Sequence, residues 1–189
     1  MNDPISTERL DLISMTPAFL RSTIASQRAD AEAMLGASIP AAWWACGDFA
    51  ALRLRDHETG LTWPPWLPRA IRLRATGEMV GHIGFHTPPA APYLHEFSPA
   101  GVEFGYTIYP AYRRKGYARE ASAALIQWAH TEHGVTSFIV SVSPANAASL
   151  GLIAQLGFRR IGSHLDEVDG PEDIFELKRP VAPGDAPAG

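Results

Sequence analysis

The chain has 189 residues, 46% of them hydrophobic and 19% charged, a balance that suits one globular domain with a sizeable core. Its 20 acidic and 16 basic side chains leave a formal charge of −4, which excludes a general nucleic-acid binder with a broad basic face. One cysteine, Cys46, excludes an intramolecular disulfide and points to a reducing, cytoplasmic compartment. The opening MNDPISTERL lacks the basic and apolar segments of a secretory signal, and no apolar run nears the roughly 20 residues a membrane-spanning helix needs.

Residues Glu8 to Met15 alternate with Leu10 and Leu12 on one side and predict a first strand. Thr16-Pro17 reads as an N-cap with proline in the first turn of a helix reaching about Arg28. A second short helix is expected from Asp30 to Leu35, stopped by Gly36, and a longer one from Ala41 to about Glu58. The run Leu61-Thr62-Trp63-Pro64-Pro65-Trp66-Leu67-Pro68 suits neither helix nor central strand and is expected to be a loop. Ala70–Ala75 and Met79–His86 predict a hairpin around Thr76-Gly77-Glu78, followed by a proline-rich loop from Thr87 to Gly101. Val102–Tyr109 is the next strand, ended by Pro110. A helix from Gly116 to about Thr131 would place Ala121, Ala124, Leu125, Trp128 and Ala129 on one face. Ser137–Val142 predicts a strand, Asn146–Leu156 a helix closed by Gly157, and Phe158–Leu165 with Asp173–Lys178 a last strand pair around Asp169-Gly170. This order indicates an α/β domain with a mixed central sheet of about seven strands over residues 1–179, and residues 180–189 read as a disordered tail.

The most informative stretch is Glu103–Glu120, EFGYTIYPAYRRKGYARE. It sets a strand, a basic turn and a helix start in succession. Backbone N–H groups in the first turn of a helix lack intrahelical partners, and the helix dipole adds positive potential there. Such a turn suits a pyrophosphate, with Gly116 letting the backbone approach it and Arg113, Arg114, Lys115 and Arg119 adding charge. The GxxxxGK[ST] spacing of a triphosphate loop and the GxGxxG dinucleotide fingerprint are both absent.

Arg113-Arg114-Lys115-Gly116-Tyr117-Ala118 resembles the R/Q-x-x-G-x-G/A motif of the GCN5-related N-acetyltransferase (GNAT) superfamily. Downstream, Asn146-Ala147-Ala148-Ser149 and Leu156-Gly157-Phe158 resemble that family's N-x-x-S helix and closing G-F. The opening Thr7-Glu8-Arg9-Leu10-Asp11-Leu12 is similar to the branch of ribosomal-protein N-terminal acetyltransferases. The resemblance runs from about Thr7 to Arg179, with Phe19 to Pro68 matching only in outline.

What the resemblance implies is a GNAT-type sheet in which two parallel strands, here Val102–Tyr109 and Ser137–Val142, splay apart to admit the pantetheine arm of acetyl-CoA. Main-chain groups of Thr107, Ile108 and Tyr109 would pair with pantetheine like an added strand. Those of Arg114, Lys115, Gly116, Tyr117, Ala118 and Arg119 would hold the pyrophosphate, and Asn146 and Ser149 would face the thioester end. Glu103 matches the position of a glutamate base that takes the amine proton through water, and backbone N–H groups nearby would stabilise the oxyanion. Relatives place a tyrosine acid four residues before the G-F glycine. This chain has Ile153 there, so Ser149 becomes the remaining hydroxyl for that role. The implied activity is acetyl transfer from acetyl-CoA to a primary amine, whether a protein N-terminus, an amino acid or a small amine. A non-catalytic acyl-CoA-binding module and a transferase of another acyl group are the alternatives. No metal, nucleic-acid or membrane partner is implied, and a homodimer is compatible with the sequence.

Two further groups of residues deserve weighing. His82 and His86, four apart on a predicted strand, share a face with Gly84, but no third ligand suggests a metal; either is an alternative base. Trp43, Trp44, Trp63 and Trp66 either line an apolar acceptor pocket or pack the N-terminal helices, with packing favoured for the first pair and the pocket for the second.

Overall fold

The computed structural model describes residues 3–166 and 170–179; the expected tail and Asp169 lie outside them. Eight strands form one mixed sheet in the order β1-β2-β3-β4-β5-β6-β8-β7, flanked by helices. The chain clusters into two compact units, Met1–Pro88 with Gly105–Leu125, and Pro89–Phe104 with Ile126–Gly189.

The first unit begins with β1 (Ile5–Ser6), a strand of two residues too short to show any hydrophobic period. It pairs antiparallel with β2 (Leu10–Ser14), and β2 with β3 (Arg69–Leu73). β3 continues the antiparallel order to β4 (Met79–Phe85). Between β2 and β3 lie α1 (Pro17–Ile24), α2 (Arg28–Leu35), α3 (Ala41–Trp44) and α4 (Gly47–Glu58). Local chemistry starts α1: the Thr16 hydroxyl accepts the Phe19 N–H at 3.2 Å, and Pro17 occupies the first turn. The helix expected to reach Arg28 ends at Ile24 because Ser26 takes a left-handed conformation, φ 56°. Gly36, φ 58°, stops α2 as expected. The single helix expected from Ala41 to Glu58 is two. Cys46 closes α3 by donating its N–H to the Trp43 carbonyl, and the chain restarts at Gly47.

The core of this unit gathers Met15, Phe19, Leu20, Leu35, Ile39, Trp43, Ala70 and Met79. Trp43 is fully buried, stacked on Phe19 with ring centroids 5.6 Å apart, and its indole N–H donates to Thr23 Oγ1 at 3.1 Å. Trp66 is also buried, edge-on to Phe85 at 5.2 Å, as the packing alternative has it, whereas Trp63 is exposed. Arg69 is buried too, donating to the carbonyls of Leu12 and Pro65, and burial lowers its pKa to about 10. It thereby ties the Leu61–Pro68 loop to β2.

The strand β5 (Val102–Ile108) and the helix α5 (Tyr117–His133) each contribute residues to both units. In the first unit β5 lies so close to β4 that a Cβ at Gly81 would collide with the Thr107 carbonyl oxygen. Along α5, Ala121, Ser122, Leu125, Ile126 and Ala129 are buried, at the spacing of one helical face, while Ala124 and Trp128 are half-buried at its margin.

In the second unit β5 runs parallel to β6 (Ser137–Val142), and β6 antiparallel to β8 (Gly170–Lys178), which pairs with β7 (Arg159–Asp166). α6 (Ala147–Leu156) is capped by Asn146, whose side chain accepts the Ser149 N–H at 3.1 Å, and is closed by Gly157 at φ 89°. The loop after β4 carries a 3₁₀ turn at Pro92–Leu94. Ala91, Leu94 and Phe97 of this loop pack on Ile139 and Ile174. Ser98 fastens it further, hydrogen-bonded to Ser137 at 2.8 Å and donating to Glu176 at 2.9 Å.

Candidate active site

The basic turn belongs to the first unit. After β5 a 3₁₀ turn at Pro110–Tyr112 leads into Arg114 at φ 63° and Gly116 at φ 82°, so the backbone is left-handed twice just before α5 begins. The first bond of the helix ladder joins the Glu120 N–H to the Gly116 carbonyl at 3.1 Å, which places the N–H groups of Tyr117, Ala118 and Arg119 ahead of it. Arg113, Arg114, Lys115, Gly116 and Arg119 are exposed, and Tyr117 and Ala118 half-buried. Exposed cations around an unladdered helix start fit a pyrophosphate.

Residues far back in the chain brace this turn. Arg9 pairs with Glu120 at 2.6 Å and donates from Nη1 to the Lys115 carbonyl at 3.0 Å. The Arg9 N–H and Thr7 hydroxyl both donate to Glu120 Oε1, at 2.9 and 2.6 Å. Burial pushes the Glu120 carboxyl up, but these hydrogen bonds and the Arg9 charge outweigh it and hold the group below its ordinary value. The Arg9 guanidinium also lies 4.9 Å from the Tyr117 ring centroid. Only the Thr7-Glu8-Arg9 string offered a signal for this clasp, and it carried no role.

On the strand leading into the turn, Gly105, Tyr106 and Thr107 are half-buried whereas Val102, Glu103 and Phe104 are buried. Among the described residues, the parallel register with β6 comprises Val102–Phe138 and Glu103–Ile139. The Ile108 carbonyl accepts from Arg113 Nε at 2.9 Å, and the Tyr109 N–H donates to the Val80 carbonyl at 2.9 Å. These two main-chain groups, expected to face pantetheine, are thus engaged within the unit.

Glu103 lies in the second unit, 5% exposed, at the last register pair of β5. Its carboxylate accepts two hydroxyls, Ser141 Oγ on Oε1 at 2.6 Å and Tyr93 on Oε2 at 2.8 Å. Neither partner was visible in the sequence, which carries no local pattern linking them. On α6 the Asn146 carboxamide oxygen is committed to the cap, and Ser149 is half-buried. Ile153 is 1% exposed, whereas Ser149, one turn before it on the same face, is half-buried.

The histidines separate. His82 is buried among Trp43, Phe49 and Tyr109, with Nδ1 lacking a hydrogen-bond partner among the described residues. Burial first, then the Arg53 charge, lowers its pKa to about 4 and keeps it neutral. His86, just beyond β4, packs over Gly105, its Nε2 2.9 Å from where a Cβ there would stand. Among the described residues no group of three or more His, Cys, Asp or Glu side chains could hold a metal ion, and no helix is long and apolar enough to cross a membrane.

Comparison with known proteins agrees with this architecture. YnaD of Bacillus subtilis (strain 168), an uncharacterized N-acetyltransferase, is 31% identical over 92 residues, 49% of either chain. This chain spans about half the length of the curated relatives it matches. Among solved structures, the fold is shared with ribosomal-protein-S5-alanine acetyltransferase from Vibrio fischeri, at TM-score 0.62 and 12% identity, covering 94% of this chain and 97% of that one. It is shared as well with Mycobacterium smegmatis RimJ in complex with CoA-disulfide, at TM-score 0.60 and 18% identity, covering 94% and 90%. The family model described as the acetyltransferase (GNAT) domain matches residues 9–159, most of the chain and both motifs read from the sequence, and the chain therefore belongs to that family.

Proposed function

We propose that residues 1–179 form an N-acetyltransferase that moves an acetyl group from acetyl-CoA to a primary amine. The observation that carries this reading is Glu103. It is a buried carboxylate held by two hydroxyls, on the strand that precedes in sequence the exposed, cationic helix start. Bound acetyl-CoA supplies an activated acetyl thioester. In this reading the N–H groups and cations of Arg114, Lys115, Gly116, Tyr117, Ala118 and Arg119 bind its pyrophosphate. The half-buried main chain at Thr107, with the remaining groups of Ile108 and Tyr109, pairs with its pantetheine, and Asn146 and Ser149 lie toward its thioester.

An alkyl ammonium is mostly protonated at neutral pH and cannot attack a carbonyl until it loses that proton. Glu103 takes the proton, directly or through water. The net change forms a C–N bond and breaks a C–S bond, and in this reading Ser149 is the hydroxyl that protonates the departing thiolate. The acceptor classes are a protein N-terminus, an amino acid or a small amine; the name of the Vibrio fischeri neighbour, a ribosomal-protein-S5-alanine acetyltransferase, favours a protein acceptor. The free thiol of Cys46 accords with a cytoplasmic setting.

The test is free-thiol release from acetyl-CoA across a panel of amines and N-terminal peptides. Wild type should turn over at least one of them. Glu103→Gln should be slower by about 10² to 10⁴, most severely at neutral and lower pH, with acetyl-CoA affinity retained. Binding of acetyl-CoA without turnover of any amine would favour an acyl-CoA-binding module instead, a reading that the buried Ile153 in place of the tyrosine supports. Turnover with succinyl-CoA but not acetyl-CoA would reassign the acyl group.

A further inference from the structure

The contacts around Glu103 point beyond the base itself. The β5–β6 ladder ends at Glu103–Ile139, and the Ser141 hydroxyl reaches back from two residues farther along β6, on the same face, to Oε1 at 2.6 Å. The Tyr93 hydroxyl reaches Oε2 at 2.8 Å from the 3₁₀ turn of the preceding loop. Three anchors set that loop. Ala91, Leu94 and Phe97 pack on Ile139 and Ile174, Ser98 bonds Ser137 and Glu176, and Phe97 fills the space above Gly162, where a Cβ would stand 2.8 Å from its ring. The residues on either side of Tyr93 are therefore held, and its hydroxyl is delivered to one carboxylate oxygen. The Tyr93 residue is nonetheless 51% exposed, so its hydroxyl is bound while much of its surface meets solvent.

We propose that Tyr93 and Ser141 are positioning residues that clamp Glu103 from two sides and hold it as an oriented, ionised carboxylate. The proposal rests on Glu103 being the base. The two donors, one on each carboxylate oxygen, hold the group in one orientation. A hydroxyl that donates to a carboxylate favours its charged form over its protonated form, so the clamp keeps Glu103 available as a base at lower pH. Other titratable groups share this face of the unit. Glu176, like Glu103, is in register with Ile139 and so stands two strands away, about 10 Å. It accepts from Ser98 and Ser137 and lies 3.5 Å from Lys178. His95 and Glu96, on the same loop as Tyr93, are exposed.

Deleting either hydroxyl should make Glu103 harder to ionise. The direct measurement is a ¹³C NMR titration of the glutamate carboxyls in the full chain, with Glu103 assigned by its disappearance in Glu103→Gln. Tyr93→Phe and Ser141→Ala should each raise its midpoint by about one pH unit. The acidic limb of the kcat/KM profile should move up by the same amount, so the rate below that limb falls about tenfold, while the plateau at higher pH stays within about threefold of wild type. Tyr93 is exposed, so the Phe variant should melt with wild type, and Ser141→Ala is a second, independent deletion.

Midpoints for both variants that superimpose on wild type overturn the clamp, whatever the activity. If Glu103→Gln is inactive while both deletions leave the pH profile unmoved, Glu103 is the base and the clamp is wrong. If the midpoints shift but Glu103→Gln turns over like wild type, the clamp exists and the assignment of the base fails.

Discussion

Two side chains illustrate how surroundings decide what a titratable group can do. His82 was an alternative base on sequence grounds, but the structure lodges it among aromatic rings with a pKa lowered to about 4. A histidine depressed in the folded state favours folding fully above its unfolded value of about 6.5, and that contribution is lost as pH falls from there toward 4. Thermal or denaturant stability should therefore fall by up to about 3 kcal/mol between pH 6.5 and 4 on account of His82. In His82→Phe this part of the pH dependence should vanish. Equal slopes in the two proteins would show that the imidazole is solvated after all. Glu120 is depressed for the opposite reason, strong donors from Thr7 and Arg9. Arg9→Ala removes a half-exposed ion pair worth under about 1 kcal/mol to the fold. It also frees the Lys115 carbonyl and with it the basic turn. We expect acetyl-CoA to bind about fivefold more weakly by calorimetry, with little change in melting. An unchanged affinity would make the clasp a structural tie alone.

At the scale of elements, α6 is set by its ends, and its faces follow from them. Asn146 and Gly157 fix where it starts and stops, and the helical period then turns Ile153 into the core and leaves Ser149 half-buried. Ile153→Tyr is the substitution that would restore the family's missing hydroxyl. A phenol at this 1%-exposed position overfills a packed site and should cost about 1–3 kcal/mol in urea unfolding without raising turnover. Faster turnover at unchanged stability would mean that the position opens toward the reacting groups. Ser149→Ala should slow turnover where thiolate protonation limits the rate, and activity equal to wild type would assign that proton to water.

For the whole molecule the decisive experiment is ligand linkage. Acetyl-CoA that binds the folded chain alone, at 100 times its Kd, stabilises it by about 2.7 kcal/mol. For a chain of this size that corresponds to a rise in Tm of roughly 5–10 °C. Gly116→Val should abolish the rise, because a branched side chain is strained at φ 82° and its Cβ would stand 3.3 Å from the Arg9 guanidinium, in the path of an incoming phosphate. A melt that millimolar acetyl-CoA leaves unmoved would count against the whole assignment. A normal rise in Gly116→Val would move the phosphate site elsewhere.

What the sequence determined by itself was whatever depends on neighbours a few residues apart. The Thr16-Pro17 helix start, the stops at Gly36 and Gly157 and the start of α6 at Asn146 all follow from side-chain chemistry within one turn of backbone. The mixed order of strands and helices followed from hydrophobic period and turn residues, while the two-residue β1 and the break between α3 and α4 fell below that signal. Tertiary structure alone decided which distant groups meet. Tyr93 and Ser141 stand 10 and 38 residues from Glu103, and Thr7 and Arg9 stand 113 and 111 from Glu120. Whether a tryptophan or a histidine is core or surface was likewise undecidable locally, as Trp63 and Trp66 show by ending on opposite sides of that divide. A hydrogen bond or a burial is a relation between segments. Its energy depends on where the whole chain brings them, and no residue carries a local mark of its distant partner.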